Sequence, residues 1–191
     1  AAFLEYLVEL AETCAREDLF APGPIILSAG GSKYFDQVTA AFRAANLGRP
    51  VEIVLRSGCY LSHDSRVYTD AFARLLARTP AVERLGAGLR PALELWASVQ
   101  SMPQTGLAIL TMGKRDASYD IDLPLPLYVH RPGPGLPEPL AAGFSIVKMN
   151  DQHAYLQIPE GSALRDSLAV GDLVGCGISH PCTTFDKWPL L

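Results

Sequence analysis

A histidine and a cysteine near the end of the chain are of residue types that bind metals. His180 and Cys182 stand two positions apart in the segment GCGISHPCTTFDKW. In an extended segment, alternate side chains point to the same side of the backbone, so the imidazole and the thiolate would face one ion. Zn²⁺ accepts both ligands. Because a structural zinc site has four protein ligands, a pair with open positions indicates a site of the catalytic kind.

Other interpretations of this pair are a surface histidine beside a buried cysteine, without a metal, and a cysteine protease. The protease is disfavoured because no orienting group or oxyanion-binding helix accompanies Cys182. Cys176 is a candidate third ligand, and burial at the end of a strand explains it equally well. His130 and His153 are isolated, so we assign them to the surface or the core.

A glycine turn is a candidate anion site. Residues 28–32, SAGGS, follow a short apolar run and precede an amphipathic stretch. Glycines let the backbone approach a phosphate, and the N–H groups at the start of the next helix point at it. Ser28 and Ser32 would add hydroxyl donors. A tight turn without a ligand explains the same residues equally well.

A second polar cluster, LRSGCYLSHD at residues 55–64, follows the next apolar run. It would lie at the C-terminal end of a strand, where α/β enzymes place their sites. Tyr60 would then contact a cofactor, and His63 or Asp64 would orient it. The alternative is an ion pair between Arg56 and Asp64 that holds a loop.

The elements that must position these residues follow an α/β pattern in the first part of the chain. Helical and strand patterns alternate there, which is typical of parallel α/β structure. The helical patterns cover residues 3–14, 34–46 and 67–78, and the apolar runs cover residues 25–27 and 51–55. Two βα units cannot complete a parallel sheet, so we expect them to end a larger α/β domain.

The pattern becomes β-rich after residues 81–90, where proline, glycine and charges indicate a domain boundary. Turn residues separate six predicted strands, a spacing typical of an antiparallel barrel or sandwich. These strands are residues 93–101, 107–112, 125–130, 143–149, 154–158 and 172–176. The sequence thus predicts an α/β part, residues 1–82, followed by an antiparallel β domain, residues 83–191.

Composition excludes several classes of partner. Of the 191 residues, 49% are hydrophobic and 19% charged, which supports a packed core. The net charge of −4 gives no basic face, so we expect no nucleic acid partner. No apolar run reaches the roughly 20 residues that cross a membrane. Four scattered cysteines and the lack of a signal peptide pattern predict a cytoplasmic protein.

Four segments, taken in order, resemble the D-serine dehydratase/D-threonine aldolase family, and most closely its bacterial amino acid deaminase branch. They are LSAGGS, LRSGCYLSHD, MGKRDASYD and GISHPCTTFDKW, and SHPCTTFDKW is the most specific of them. The resemblance covers almost the whole chain. It implies fold class α/β + β: the last βα units of an alanine-racemase-like, fold-type III barrel that binds pyridoxal phosphate, followed by an antiparallel β domain.

The resemblance also implies cofactor-binding residues. Gly30, Gly31 and Ser32 would hold the phosphate of pyridoxal phosphate, and Tyr60 would lie beside the cofactor. The family's Schiff-base lysine lies near the start of the barrel, and none of the lysines of this chain matches it. These are Lys33, Lys114, Lys148 and Lys187. We therefore expect an inactive C-terminal fragment, shortened at its own C-terminus as well, whose catalytic lysine belongs to the parent protein.

The metal residues implied by the resemblance are His180 and Cys182, with zinc, or manganese as another divalent metal, as the ion. Aldolase members often carry aspartate where Cys182 stands, so this cysteine favours a dehydratase. Lys114, Asp116 and Asp120 lie in the matching MGKRDASYD segment, where we expect them to be site-wall or structural residues.

The function implied for the parent protein is a pyridoxal-phosphate- and metal-dependent lyase. Its substrate would be a small D-amino acid with a β-hydroxyl, D-serine or D-threonine, converted to a keto acid and ammonia. D-threonine aldolase and a non-catalytic β-rich assembly or binding domain are the alternatives. A relative of alanine racemase is disfavoured because that activity has no use for a His-x-Cys pair. A homodimer is expected, since family members pair barrel and β domain across a dimer.

Overall fold

The structure is a computed structural model that describes residues 2–86 and 88–190, with only the backbone of Tyr60, Pro80, Ala81 and Leu85. Its contacts divide the chain into two compact units. The first unit comprises Ala1–Tyr60 with Ala71–Gly88, and the second comprises Leu61–Asp70 with Leu89–Leu191. Among the described residues, no helix is both long and apolar enough to cross a membrane.

Helices and parallel strands alternate in the first unit. Its elements begin with α1 (Ala2–Arg16), β1 (Ile25–Ala29), α2 (Phe35–Ala44) and β2 (Val51–Leu55). A 3₁₀ turn at Gly58–Tyr60, α3 (Val67–Arg78) and a 3₁₀ helix at Pro80–Leu85 follow in the chain. Strands β1 and β2 pair in parallel, from Ile25 opposite Val51 to Ala29 opposite Leu55.

One face of this strand pair carries the core of the first unit. Ile25, Leu27 and Ala29 of β1 are buried and pack in one cluster with Val38 and Phe42 of α2. The alternate residue Ile26 is 62% exposed, so the described residues cover only one side of the pair. A parallel sheet is normally covered on both faces, and the expectation that these units end a larger α/β domain stays a prediction.

The second unit is a seven-stranded sheet in which every pair of neighbours is antiparallel. The strands are β3 (Glu94–Gln104), β4 (Leu107–Leu110), β5 (Leu125–His130), β6 (Glu138–Pro139), β7 (Ser145–Met149), β8 (Ala154–Gln157) and β9 (Leu173–Gly177). Their order is β6-β5-β9-β3-β4-β8-β7. Two short helices, α4 (Leu164–Ser167) and α5 (Pro181–Phe185), complete the unit.

The β core lies between this sheet and its connecting segments, and its largest fully buried members include Leu110, Met112 and Leu156. The six predicted strands and the α/β alternation are confirmed, with ends that differ by up to three residues. The sequence did not predict β6, which lies in the proline- and glycine-rich run, or the two short helices.

Candidate functional site

Strand β9 carries the candidate metal residues to one end of the sheet. It lies between β3 and β5, hydrogen-bonded to both. The backbone amide of Ser65 donates to Ile178 O at 3.0 Å, just beyond the end of the strand. Gly177 permits this approach, because a Cβ there would lie 2.5 Å from the Cβ of Ser65. We call residues 178–188 the tail. Its start is therefore fixed before the chain reaches His180.

The backbone changes direction at His180. His180 has an extended conformation (φ −144°, ψ 100°), and α5 begins with the next residue, Pro181. Proline suits the first position of a helix because its φ is preset and its missing N–H would have no partner there. The prediction that His180 and Cys182 belong to one extended segment is therefore wrong. Cys182 lies in the first turn of α5, with an exposed side chain.

Asp120 lies beside His180, and the sequence did not assign it this role. The Nδ1 atom of His180 is 2.6 Å from Asp120 Oδ2, and the hydroxyl of Thr183 donates to Asp120 Oδ1 at 2.9 Å. The hydrogen bond to His180 lowers the pKa of the Asp120 carboxyl, with the Thr183 hydroxyl acting in the same direction. Asp120 is thus an ionised acceptor that contacts the residues on either side of the Pro181-Cys182 dipeptide.

Buried hydroxyl groups join the segment around Asp120 to the tail. The amide of Ser118 donates to Thr184 Oγ1 at 3.2 Å, and the amide of His180 donates to Ser118 Oγ at 3.0 Å. The hydroxyl of Ser179 donates to the backbone oxygen of Asp122 at 2.6 Å. Ser118, Ser179 and Thr184 are all buried, so water competes little for these bonds. They hold two segments about sixty residues apart in one arrangement.

The other residues expected to line the site have identifiable contacts. The Nζ atom of Lys114 lies 5.2 Å from the centre of the Tyr119 ring. Asp116 accepts the Gly113 amide at 2.8 Å through Oδ2, and its backbone oxygen accepts the indole N–H of Trp188 at 2.7 Å. Asp116 therefore stabilises the loop, which is one of the two roles expected for it, whereas Asp120 contacts a candidate ligand.

His180 and Cys182 fit a metal that is held by two protein ligands. Since Nδ1 of His180 is bonded to Asp120, Nε2 is the ring nitrogen that would bind a metal, as in histidine ligands whose other nitrogen contacts a carboxylate. Cys176 does not fit as a third ligand: it is fully buried, and burial raises the pKa of its thiol to about 12. Among residues 2–86 and 88–190, no group of three or more His, Cys, Asp or Glu side chains could hold a metal.

The glycine turn borders a pocket of about 550 Å³ in the first unit. Ser28, Gly30 and Arg56 lie in its lining at the C-terminal ends of β1 and β2, and the Nε of Arg56 donates to Ser28 Oγ at 3.1 Å. Gly31 adopts φ +116°, a conformation that glycine tolerates. Helix α2 starts after the turn without a side-chain cap. A guanidinium, a hydroxyl and a glycine turn fit the phosphate of pyridoxal phosphate.

The loop after β2 carries three candidate cofactor-contacting residues, Tyr60, His63 and Asp64, whose surroundings differ. The side chain of Tyr60 lies outside the described residues, so its predicted contact with the cofactor stays a prediction. Asp64 is buried, and its Oδ1 accepts the amides of Arg66 and Tyr68 at 2.8 and 3.0 Å, which caps α3. His63 is 1% exposed, and neither ring nitrogen has a hydrogen-bond partner among the described residues.

A larger cavity, about 840 Å³, lies in the second unit. Its lining comes from residues 129–144 and 159–167. None of the candidate site residues belongs to that lining, so its size alone does not make it the site.

Comparison with protein families matches residues 92–191, more than half of the chain, to the family described as "Putative serine dehydratase domain". No curated protein sequence matches the chain significantly. The chain resembles D-threonine aldolase from Filomicrobium marinum with 22% identity and a TM-score of 0.55. The match covers 91% of this chain and 38% of the aldolase.

Two further solved structures have the same fold. One is D-threo-3-hydroxyaspartate dehydratase from Delftia sp. HT23, as a cysteine-to-alanine mutant in the metal-free form. It is 20% identical with a TM-score of 0.54, and the match covers 98% of this chain and 47% of the dehydratase. An alanine-racemase-like protein from Idiomarina loihiensis is 13% identical with a TM-score of 0.54, covering 97% and 46%. The predicted alanine-racemase-like fold is confirmed. The chain spans less than half the length of each of these proteins.

Proposed function

Because the chain belongs to the serine dehydratase domain family, we propose that the complete protein is a lyase that acts on D-amino acids with a β-hydroxyl. It uses pyridoxal phosphate and a divalent metal, zinc or manganese, and converts D-serine or D-threonine to a keto acid and ammonia. His180 and Cys182 bind the metal, Gly30, Gly31 and Ser32 hold the cofactor phosphate, and Tyr60 lies beside the cofactor.

The observation that carries the proposal is the arrangement at the end of β9. His180 bonds to Asp120 through Nδ1, which directs Nε2 to a metal, and the exposed Cys182 follows in the first turn of α5. Solved mutants of the hydroxyaspartate dehydratase support this assignment. One replaces a histidine with alanine, the other replaces a cysteine two positions later, and the cysteine mutant is in the metal-free form. The spacing matches His180 and Cys182.

Pyridoxal phosphate would supply an electron sink for the α-carbon, and the metal would supply a Lewis acid for the β-hydroxyl. The residues of this chain hold these groups in place. Arg56 and Ser28, next to Gly30, provide positive charge and a hydroxyl for the phosphate. The hydrogen bonds of Ser118 and Ser179 fix the backbone of His180. None of the four lysines of this chain is assigned to link the cofactor.

D-threonine aldolase is the second candidate, favoured by the similarity to the aldolase of Filomicrobium marinum. Cys182 favours the dehydratase, because the family resemblance implies aspartate at this position in many aldolases. We also propose a cytoplasmic homodimer that binds neither nucleic acid nor membrane. The net charge of −4 supports the absence of a nucleic acid partner, and the absence of disulfides among the four cysteines supports the cytoplasm. The homodimer rests on the family resemblance alone.

Metal content and product analysis of the complete protein test the proposal. Cys182→Ala should lower bound zinc and elimination from D-serine, because the thiolate is one of two protein ligands, while cofactor absorbance stays unchanged. Cys14→Ala, which alters a partly exposed cysteine of α1, is the matched control and should change neither property.

Each possible product identifies a different reaction. Pyruvate from D-serine supports the dehydratase, whereas glycine and acetaldehyde from D-threonine without any keto acid would support the aldolase. Wild-type zinc content and activity in Cys182→Ala would contradict the metal assignment. A complete protein without turnover of either amino acid would favour the non-catalytic β-rich assembly domain.

A further inference from the structure

We propose that Asp120 is a positioning residue for the metal site and that Thr183 holds it in place. The inference rests on the proposed function, because it assigns a role toward the metal that His180 and Cys182 are proposed to bind. In this arrangement Asp120 fixes the tautomer and ring orientation of His180. Through Thr183 it also connects to the turn of α5 that carries Cys182.

Both oxygens of the Asp120 carboxylate are engaged by the tail. Oδ2 lies 2.6 Å from His180 Nδ1, a short distance typical of a charge-assisted hydrogen bond. Oδ1 accepts the Thr183 hydroxyl at 2.9 Å. One rigid group therefore contacts the residue before and the residue after the Pro181-Cys182 dipeptide, which restricts where the imidazole lies relative to the thiol.

The hydrogen bond decides which nitrogen of His180 carries the proton. A carboxylate only accepts hydrogen bonds, so Nδ1 is protonated in the neutral ring and Nε2 presents its lone pair to the metal. The side chain of His180 is 29% exposed, so neighbouring side chains enclose it only in part. Without Asp120 the ring would populate other rotamers and the other tautomer, and each would remove Nε2 from the metal.

The position of Asp120 is itself fixed. Ser118, two residues earlier, is fully buried and bonds to the amide of His180, and its own amide donates to Thr184. Two residues later, the backbone oxygen of Asp122 accepts the hydroxyl of Ser179. The backbone is thus hydrogen-bonded to the tail on both sides of Asp120, which keeps the carboxylate beside the imidazole of His180.

The test measures zinc affinity of the complete protein by competition with a chelator of known affinity. Asp120→Ala should weaken zinc binding about 10- to 100-fold, the usual effect of removing the carboxylate partner of a ligating histidine. Asp122→Ala is the matched control: it removes the same charge from the same loop, but its carboxylate pairs with Arg66 at 3.5 Å instead of with His180. It should leave zinc affinity unchanged.

A spectroscopic measurement separates positioning from general stability. In the metal-free protein, long-range ¹H–¹⁵N spectra of the imidazole should show His180 protonated at Nδ1 in the wild type and in Asp122→Ala. Asp120→Ala should shift it toward the tautomer protonated at Nε2. Thr183→Val should weaken zinc binding and Thr183→Ser should restore it, because serine keeps the hydroxyl that binds Oδ1.

The outcomes distinguish this inference from the proposed function. Zinc binding by the wild type together with equal affinity in Asp120→Ala would overturn the role of Asp120 alone. Equal losses in Asp120→Ala and Asp122→Ala would overturn it too, because loop charge and not contact with His180 would then set affinity. A wild-type protein that binds neither zinc nor manganese would overturn the proposed function, and this inference with it.

Discussion

Gly113 is a residue at which a single methyl group should disturb the candidate site. It opens the segment 113–122 that carries Asp120, at a place where that segment lies directly against residues 150–151. The amides of Lys114 and Arg115 donate to the backbone oxygens of Asn150 and Asp151 at 2.9 and 3.1 Å. A Cβ on Gly113 would lie 2.5 Å from the Asn150 oxygen and nearer still to the carbonyl of Asp151.

The cost of Gly113→Ala follows from these contacts. Non-bonded carbon and oxygen approach to about 3.3 Å, so the two backbone segments must separate by about 1 Å. Overpacking of this kind costs about 1–3 kcal/mol, and weakening two backbone hydrogen bonds adds about 0.5–1.5 kcal/mol each. Alanine recovers about 0.4–1 kcal/mol by restricting the unfolded chain. The free energy of unfolding should therefore fall by about 1–6 kcal/mol, and by about 3 kcal/mol at the centre of these ranges.

Urea unfolding of the wild type and the variant measures this difference, with the slope of the transition checked for constancy. Gly58→Ala is the control, because no described atom beyond its chain neighbours lies within 4 Å of its Cβ position and Gly58 does not need a left-handed backbone. It should not lower stability, and it should raise it by no more than about 1 kcal/mol, the same gain from restricting the unfolded chain. If Gly113→Ala were as stable as Gly58→Ala, the close contact with Asn150 and Asp151 would not limit this position, and the reasoning would be refuted.

Two other predictions concern the segment that contains His63. Burial lowers the pKa of His63 below its ordinary value of 6.5, although the neighbouring Asp64 acts in the opposite direction. The unfolded state therefore binds more protons than the folded state. The contribution of neutral His63 to the free energy of unfolding should be fully present above pH 6.5 and be lost as the pH decreases through the lowered pKa. The loss should be at most about 1.4 kcal/mol per pH unit. His63→Asn, which tolerates the positive φ of 50°, should flatten that dependence in acid-range unfolding curves, and an unchanged slope would contradict it. Gly177→Ala should cost about 1–3 kcal/mol by overlap with Ser65. Ser65→Gly should restore much of that loss in the double variant. The check is a double-mutant cycle on the free energies of thermal unfolding of the wild type, the two single variants and the double variant. Strictly additive losses would show that the overlap with Ser65 is not the cause.

The fold could be predicted from local patterns because each strand and each long helix carries its own signal. The run at residues 51–55 and the helical periodicity at 67–78 matched β2 and α3 at both ends. The two-residue strand Glu138–Pro139 carries no such signal, since it lies in a run of prolines and glycines and pairs at only two positions of β5. Pairing with Tyr128 and Val129 of the preceding strand, and not local preference, forms that strand.

The candidate site was predictable only in part. The residue types of His180 and Cys182 indicated a metal pair, but their geometry depends on Pro181, which begins a helix where an extended segment was expected. The role of Asp120 could not be read from one sequence, because the hydrogen bond to His180 joins positions 60 residues apart and is made possible by the packing of Ser118 and Thr184. No periodicity or spacing encodes such a contact.

The arrangement of His180, a candidate metal ligand, therefore depends on segments outside the tail. The backbone of His180 is held by Ser118, its ring by Asp120, and the start of the tail by Ser65. Substitutions in the segment 113–122 should fall into two groups. Gly113→Ala moves the whole segment, so it should lower stability and zinc affinity together, whereas Asp120→Ala leaves the buried hydroxyl bonds intact and should lower zinc affinity alone. Finding the two losses separated in this way would show that stability and metal geometry are set by different contacts of one segment.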